Sequence, residues 1–372
     1  MPIQFAPPVF TPMDPAIAPA VERLCTPLLS AMAGLETAFR KLHPPHLSAI
    51  ARALEPFAAK LGEARNTFSA ITVPLQMHPV TNRLLEGTTH AARALDDLIA
   101  APEDNAFPEK VLRAMRSHCR GQETLYPLHP VIRPIGRYFL EPPLRNRPDD
   151  FAARPEHHPG TGLQLLSGSL TDSSDYCLYV PETRDPATPL PLVVALHGGS
   201  GSGRDFIWTW LREARSRRFL LLAPSAAART WAFDSRTDAD RIFAAVDFLL
   251  ETRPVRRDRL LLTGFSDGAI HTLTCGLLAD SPFTALAPVS GVLHPQNLEY
   301  AKNRRIYMAH GALDWMFPIH HARQAHAILQ SAGVDIVFRE LPDLSHTYPR
   351  EENARILEWF DPEMVACAGM DR

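Results

Sequence analysis

The chain has 372 residues, is 45% hydrophobic and 21% charged, and carries a formal charge of -3 at pH 7. That length holds two domains and a sizeable core. The small negative balance, with no Lys/Arg cluster interleaved with aromatics, gives no electrostatic ground for a nucleic-acid partner or an anionic membrane surface. The five cysteines (Cys25, Cys119, Cys177, Cys275, Cys367) are scattered and odd in number. They suit reduced, buried thiols rather than a disulfide framework, and no CxxC or Cys/His metal spacing accompanies them. The start, Met1-Pro2-Ile3-Gln4-Phe5-Ala6-Pro7-Pro8, lacks the basic and apolar regions of a signal peptide. No apolar run is long enough for a membrane span, so a cytoplasmic protein is expected.

Proline is the unusual residue: 35 in all, 20 of them within the first 150 positions. Helical patterns lie between them. From Ala20 to Leu42 the apolar residues Leu24, Leu28, Met32, Leu35 and Phe39 recur at steps of three or four, and Pro44 and Pro45 end the pattern. His46 to Ala70 repeats it, with Pro56 marking a kink. Pro79 to Ala100 and Pro108 to Cys119 read as two more helices. Strand signals are sparse here, and no catalytic constellation is found. Residues 141–160 are polar and proline-rich, as in a stiff linker. The expected organisation is an all-α N-terminal domain over 1–155, acting as a cap or a subunit contact in a homo-oligomer, and a second domain over 156–372.

The rhythm then changes. Leu163 to Leu170 and Asp175 to Val180 form an expected hairpin. Apolar runs at Leu190 to Leu196, Arg218 to Ala223, Arg259 to Thr263, Thr284 to Val289, Arg305 to Ala309 and Val334 to Leu341 read as strands. Helical patterns at Asp205 to Ser216, Asp238 to Thr252, Ala269 to Leu278, Pro318 to Ser331 and Arg350 to Phe360 alternate with them. Short apolar strands alternating with helices imply an α/β fold, a doubly wound, mostly parallel sheet covered on both faces.

One strand ends in Gly264-Phe265-Ser266-Asp267-Gly268 and feeds a helix. A Gly-x-Ser-x-Gly turn between a strand and a helix is how a serine hydroxyl is exposed at a strained apex. A serine needs a histidine to take its proton and a carboxylate to orient that histidine. Asp314, in His310-Gly311-Ala312-Leu313-Asp314-Trp315-Met316-Phe317-Pro318, follows one strand. His346, in Leu344-Ser345-His346-Thr347, follows the last. In parallel sheets such groups gather at the carboxyl ends of the strands. The rival bases His271, His294, His320 and His321 lie in or near helices, and the rival acids are Asp343, Asp267 and Asp258. The glycine-dense His197-Gly198-Gly199-Ser200-Gly201-Ser202-Gly203 supplies backbone N–H groups for an oxyanion hole. Gly199 is the first choice there, Gly198 or Ser200 the alternatives, and the amide of Asp267 the second donor. His197 is expected to anchor that loop rather than carry protons. Trp231, Phe265 and Trp315 flank the motif loops and are candidates to line an acyl or alcohol pocket.

With these four motifs in this order, residues 160–372 resemble an α/β-hydrolase, and within that superfamily the phospholipase/carboxylesterase and dienelactone-hydrolase-like esterases. The resemblance implies a serine carboxylesterase acting on a small-molecule ester through an acyl-enzyme, with no metal or organic cofactor. Residues 290–304 are too few for a large lid. Amide, peptide or thioester hydrolysis by the same triad, or a non-catalytic binding protein on the hydrolase fold, are the alternatives.

Overall fold

The structure is a computed structural model; it describes residues 3–4, 13–103, 107–146, 160–166, 176–182, 187–294, 298–302 and 304–364. Most of the proline-rich stretch 141–160, the tail of the first expected strand and Cys367 lie outside the described residues. The chain forms two compact units, one of residues 6–152 and the other of residues 1–5 and 153–372.

The first unit is helical among its described residues: α1 (Ala18–Arg40), α2 (Leu47–Ser69), α3 (His78–Ile99), α4 (Phe107–Leu125) and the short α5 (Arg133–Tyr138). α1 packs along α2, and α3 along α4. The periodic residues Leu24, Leu28, Met32 and Leu35 of α1 are all buried, as a three-to-four-residue stripe dictates. Pro56 does not end α2, and Pro27 lies inside α1 in the same way. Each removes one intrahelical N–H donor. α4 runs six residues past its expected end at Cys119. Its polar continuation hides burial of Gln122 and Glu123, which tertiary packing supplies. Tyr138 on α5 donates to the Glu36 carboxylate on α1 at 2.6 Å.

Among its described residues the second unit forms a nine-stranded sheet. Its strands are β1 (Ile3–Gln4), β2 (Gly162–Leu166), β3 (Tyr176–Val180), β4 (Leu190–Leu196), β5 (Leu220–Pro224), β6 (Val255–Phe265), β7 (Ala285–Val289), β8 (Arg305–Gly311) and β9 (Asp335–Leu341), in the order β1-β2-β3-β5-β4-β6-β7-β8-β9. The first three pair antiparallel, and every pairing among β4 to β9 is parallel. Helices α6 (Gly203–Phe206), α7 (Leu211–Arg217), α8 (Thr237–Thr252), α9 (Asp267–Gly276), α10 (Ile319–Ser331) and α11 (Glu352–Phe360) connect them. Every residue of β3, β4, β5 and β7 is buried. Strands with both faces covered must be apolar throughout, and these are. The edge strand β9 is partly exposed along most of its length.

Two expectations are corrected. The helix expected over Asp205 to Ser216 is broken into α6, a 3₁₀ turn at Ile207–Thr209, and α7. Its middle, Ile207-Trp208-Thr209-Trp210, consists of β-branched and aromatic residues that lose rotamer freedom in a helix. Burial of Trp208 and Trp210 takes precedence over helical continuity. β6 begins at Val255, four residues before the expected start: Val255 pairs with Leu190, and the charged residues 256–259 fall in a register shift before the pairing resumes at Leu260.

The strand order reverses at β4: the chain goes from β4 to one side for β5, then returns past β4 to β6. Such a switch point opens a crevice at the carboxyl ends of the strands. The register pairs Leu196 with Gly264, Phe265 with Val289 and Gly311 with Leu341, so the loops after β4, β6, β8 and β9 leave the sheet at one edge.

Candidate active site

Ser266 is the residue between β6 and α9. Its backbone sits at φ 54°, ψ -119°, a region that costs an L-residue about 1–3 kcal/mol. The turn is tight enough that only glycine fits on either side. A Cβ at Gly264 would overlap the carbonyl of Gly268, and one at Gly268 would come within 2.5 Å of the carbonyl oxygen of His197. The Ser266 N–H donates to Val289 O at 3.0 Å, and its carbonyl accepts from the amides of Ala269 and Ile270. The strained residue is therefore held from both neighbouring strand and following helix.

His346 and Asp314 come from loops that are stitched together. The Ala312 amide donates to Leu341 O at 2.8 Å and the Leu313 amide to Leu344 O at 2.9 Å. The side chains then meet: His346 Nδ1 lies 2.8 Å from Asp314 Oδ2, and His346 Nε2 lies 2.9 Å from Ser266 Oγ. A carboxylate oxygen only accepts, so Nδ1 carries the proton, Nε2 is the acceptor, and the Ser266 hydroxyl donates to it. The other carboxylate oxygen of Asp314 accepts the amides of Met316 (3.0 Å) and Phe317 (2.7 Å), which fixes its plane. Asp314 is 5% exposed and Ser266 6%, so this chain of bonds sits in a medium that strengthens it. Phe317 stands edge-on to the imidazole at 5.2 Å, and Phe265 lies tilted against it at 5.1 Å.

The rivals are placed elsewhere. His271 is buried and stacked on Trp231 at 5.2 Å, and burial pushes its pKa down to about 4. With Phe233, Thr274 and Cys275 it lines a cavity of about 140 Å³. His294 stacks on Phe233, and His320 packs on His321. Asp258 pairs with Arg256 and Arg259, and Asp343 is exposed.

On the loop after β4, His197 receives the Ala226 amide at Nε2 (3.0 Å) and donates from Nδ1 to Gly198 O (2.7 Å). Both ring nitrogens are engaged and burial holds the ring below its usual pKa, so it is a neutral anchor. Among the described residues, no hydrogen bond is donated by the amides of Gly198, Gly199 or Asp267. The alternative donor Ser200 is corrected: its amide donates to Arg229 O at 2.9 Å. Gly198 keeps its carbonyl on His197, and a Cβ there would stand 3.4 Å from the Ser266 Cβ.

Of the three expected pocket aromatics, Trp231 is corrected. It is 2% exposed, sandwiched between His197 and His271, and its indole N–H donates to His197 O at 2.7 Å. No face remains for a ligand. Phe265 is beside His346, as above. Trp315 is 52% exposed on the Asp314 loop, with Leu313 and Met316 also outward.

Three residues bonded or packed against these side chains were missed. His310 is buried; it donates from Nε2 to Phe317 O at 2.7 Å and lies 3.4 Å from Asp314 Oδ2, bracing the acid's turn. Its place in the His-Gly-x-x-Asp run was the available signal. Tyr348, two residues after His346, packs on Phe265 and Phe206 and donates to Asn353 Oδ1 at 2.7 Å. Burial pushes its phenol well above the usual range. Thr230 donates to Asp267 Oδ2 at 2.5 Å; nothing local marks it. Among the described residues, no group of three or more His, Cys, Asp or Glu is arranged to hold a metal ion, and no helix is long and apolar enough to cross a membrane.

Residues 235–361, roughly a third of the chain, match the family described as Phospholipase/Carboxylesterase. Curated protein sequences give no match. Similar solved structures include a thermostable esterase (24% identity, TM-score 0.41), of which the match covers 55% while covering 52% of this chain. The chain thus spans about half the length of that protein. An acetyl xylan esterase from Aspergillus awamori is 16% identical with a TM-score of 0.44, covering 54% of this chain and 98% of the other. An S-formylglutathione hydrolase from Staphylococcus aureus is 18% identical with a TM-score of 0.45, covering 55% and 98%.

Proposed function

We propose that this chain, whose C-terminal unit is an α/β-hydrolase similar over residues 235–361 to the phospholipase/carboxylesterase family, hydrolyses carboxylic esters through a covalent acyl-serine. The observation that carries this reading is the hydrogen-bonded line Ser266 Oγ, His346 Nε2, His346 Nδ1, Asp314 Oδ2. Ser266 Oγ attacks the ester carbonyl and its proton passes to His346 Nε2. The carbonyl oxygen becomes an oxyanion, which the amides of Gly199 and Asp267 stabilise. Collapse expels the alkoxide, which takes the proton from His346 and leaves as the alcohol. Water then attacks the acyl-enzyme: His346 accepts its proton, the second oxyanion collapses, and Ser266 leaves with that proton while the acid departs. Asp314 holds the imidazole in the tautomer that accepts at Nε2 and stabilises the imidazolium between steps. No step calls for a metal or organic cofactor.

The test is a panel of p-nitrophenyl esters of graded chain length, with an anilide and an acyl-thioester alongside, on wild type and Ser266→Ala. Ester turnover is expected in wild type only, and a fluorophosphonate is expected to label Ser266. Equal rates in both proteins, or no adduct at Ser266, refute the reading. A thioester or anilide rate above every ester rate moves the assignment to thioesterase or amidase.

The N-terminal domain expected over 1–155 loses residues 1–5 to the sheet unit, and what remains, the unit of residues 6–152, is read as a cap on substrate access or as a subunit contact, in a cytoplasmic enzyme. Removal of residues 6–152 is expected to change the substrate range or the oligomeric state measured by light scattering; a protein unchanged in both refutes the assignment.

A further inference from the structure

The two amides assigned to the oxyanion belong to different segments, Gly199 to the loop after β4 and Asp267 to the first turn of α9. Stabilising a tetrahedral intermediate needs both donors at about 2.7–3.1 Å from one oxygen, and a misplacement of about 1 Å can lower turnover on the order of 100-fold. The two segments abut where Gly268 packs on the carbonyls of Leu196 and His197, but no hydrogen bond among the described residues joins the Gly199 or Asp267 amide to the other segment. A third segment touches both.

That segment is 225–232, between β5 and α8. Towards the Gly199 loop it makes five hydrogen bonds. Ala226 N–H donates to His197 Nε2 (3.0 Å) and the Trp231 indole to His197 O (2.7 Å). Arg229 O accepts the Ser200 amide (2.9 Å), and Arg229 Nε donates to Ser200 Oγ (2.9 Å). Ser225 Oγ accepts the Gly203 amide (3.0 Å). Towards α9 the Thr230 hydroxyl donates to Asp267 Oδ2 at 2.5 Å, and Trp231 stacks on His271 at 5.2 Å. The segment is itself pinned by the buried Asp238 of α8, which accepts the amides of Ala227 (2.9 Å) and Ala232 (2.8 Å) and pairs with Arg241. The Asp267 carboxylate that Thr230 holds lies against the Gly199 loop, since a Cβ at Gly199 would come within 2.5 Å of Oδ2.

We propose that segment 225–232 is a clamp that sets the separation of the Gly199 and Asp267 amides, with Thr230 and Asp238 as positioning residues that touch no substrate. The inference rests on the serine-esterase reading above. Among the hydrogen bonds of the described residues, Thr230 alone ties the clamp to the first turn of α9, where the Asp267 amide lies, so its hydroxyl governs the spacing; the stack of Trp231 on His271 joins the helix one turn further on. Asp238 governs the shape of the segment that delivers it.

The test compares Thr230→Val, which keeps the side-chain shape and removes the hydroxyl, with Thr230→Ser, which keeps the hydroxyl. For Thr230→Val, kcat on a p-nitrophenyl ester is expected to fall about tenfold, a fraction of the 10²–10³ lost when an oxyanion donor is removed outright. KM should stay within about twofold, because ground-state binding does not use the oxyanion geometry. Affinity for a trifluoromethyl ketone, which forms a tetrahedral adduct, should fall in step with kcat, and Thr230→Ser should restore both. Asp238→Asn should show the same split. Independently of turnover, amide hydrogen exchange across residues 197–203 should quicken in Thr230→Val. Unchanged exchange there overturns the clamp, whether or not the protein hydrolyses esters. A fall in kcat with unchanged trifluoromethyl ketone affinity also overturns it. An inactive wild type that takes up no fluorophosphonate refutes the esterase reading instead, so the two failures are told apart.

Discussion

Asp314 makes two separable contributions, and a pair of substitutions divides them. One carboxylate oxygen orients His346 and the other accepts the amides of Met316 and Phe317. Asp314→Asn retains an oxygen for the two amides but turns an NH₂ towards His346 Nδ1. The imidazole then must accept there, its proton moves to Nε2, and it can no longer take a proton from Ser266. A comparable change in a serine hydrolase triad lowers kcat about 10⁴-fold, or about 5.5 kcal/mol at 1.36 kcal/mol per decade. Folding should hardly change. Asp314→Ala removes the imidazole partner and the single oxygen that accepts both amides. At about 1 kcal/mol for each lost hydrogen bond, it should be less stable than wild type by about 2–3 kcal/mol. For a unit of this size that is roughly 5–10 °C in Tm. The assay is steady-state hydrolysis of a p-nitrophenyl ester, with thermal unfolding followed by near-ultraviolet circular dichroism. Asp314→Asn within tenfold of wild type would refute the tautomer argument. Equal thermal stability of the Asn and Ala variants would refute the role given to the Met316 and Phe317 bonds.

Other consequences follow from the strain and the buried groups. Ser266 holds a backbone conformation suited to glycine, so Ser266→Gly should be more stable than Ser266→Ala by about 1 kcal/mol, with both inactive; denaturant unfolding decides it, and a more stable Ala variant counts against the strain. His271 has its folded pKa depressed from 6.5 to about 4 by burial. A base with a depressed folded pKa binds its proton first in the unfolded chain, so the stability it contributes is complete above pH 6.5 and is lost as pH falls towards 4, by about 3 kcal/mol in all. His271→Phe, which keeps a ring against Trp231 and cannot protonate, should flatten the fall in urea midpoint between pH 7 and pH 5; an unaltered slope would remove His271 from the account. Burial raises the thiol of Cys25 to about 12 and that of Cys275 further still. Both should resist iodoacetamide in the native protein at pH 8 and react in urea, as mass spectrometry would record; rapid native labelling of either would contradict the packing.

Much of the candidate site's geometry was legible because a tight strand-to-helix turn and loops after apolar strands demand particular residues at particular places. Gly264 and Gly268 flank Ser266 because no side chain fits there, and that requirement shows in the sequence itself. Asp314 and His346 were legible by their places after apolar runs. What escaped was whatever depends on a partner distant in the chain. Trp231 flanks a motif loop, as a pocket residue would, yet two histidines from other segments enclose it. Ser200 lies in the glycine-rich loop like a donor, yet Arg229, 29 residues on, takes its amide. The helix expected through Trp208 and Trp210 was broken because the core claimed both indoles.

The sequence by itself determined the alternation of strands and helices, the tight turn at residue 266 and the order of the three candidate side chains, because each is a local matter of periodicity, sterics or spacing. Only the tertiary structure decided that strands β4, β6, β8 and β9 end at one edge, bringing an imidazole within 2.9 Å of a hydroxyl 80 residues before it. It alone decided which amides are left unbonded beside them. Hydrogen bonds reach about 3 Å and chain separation says nothing about such distances; the register of the sheet does.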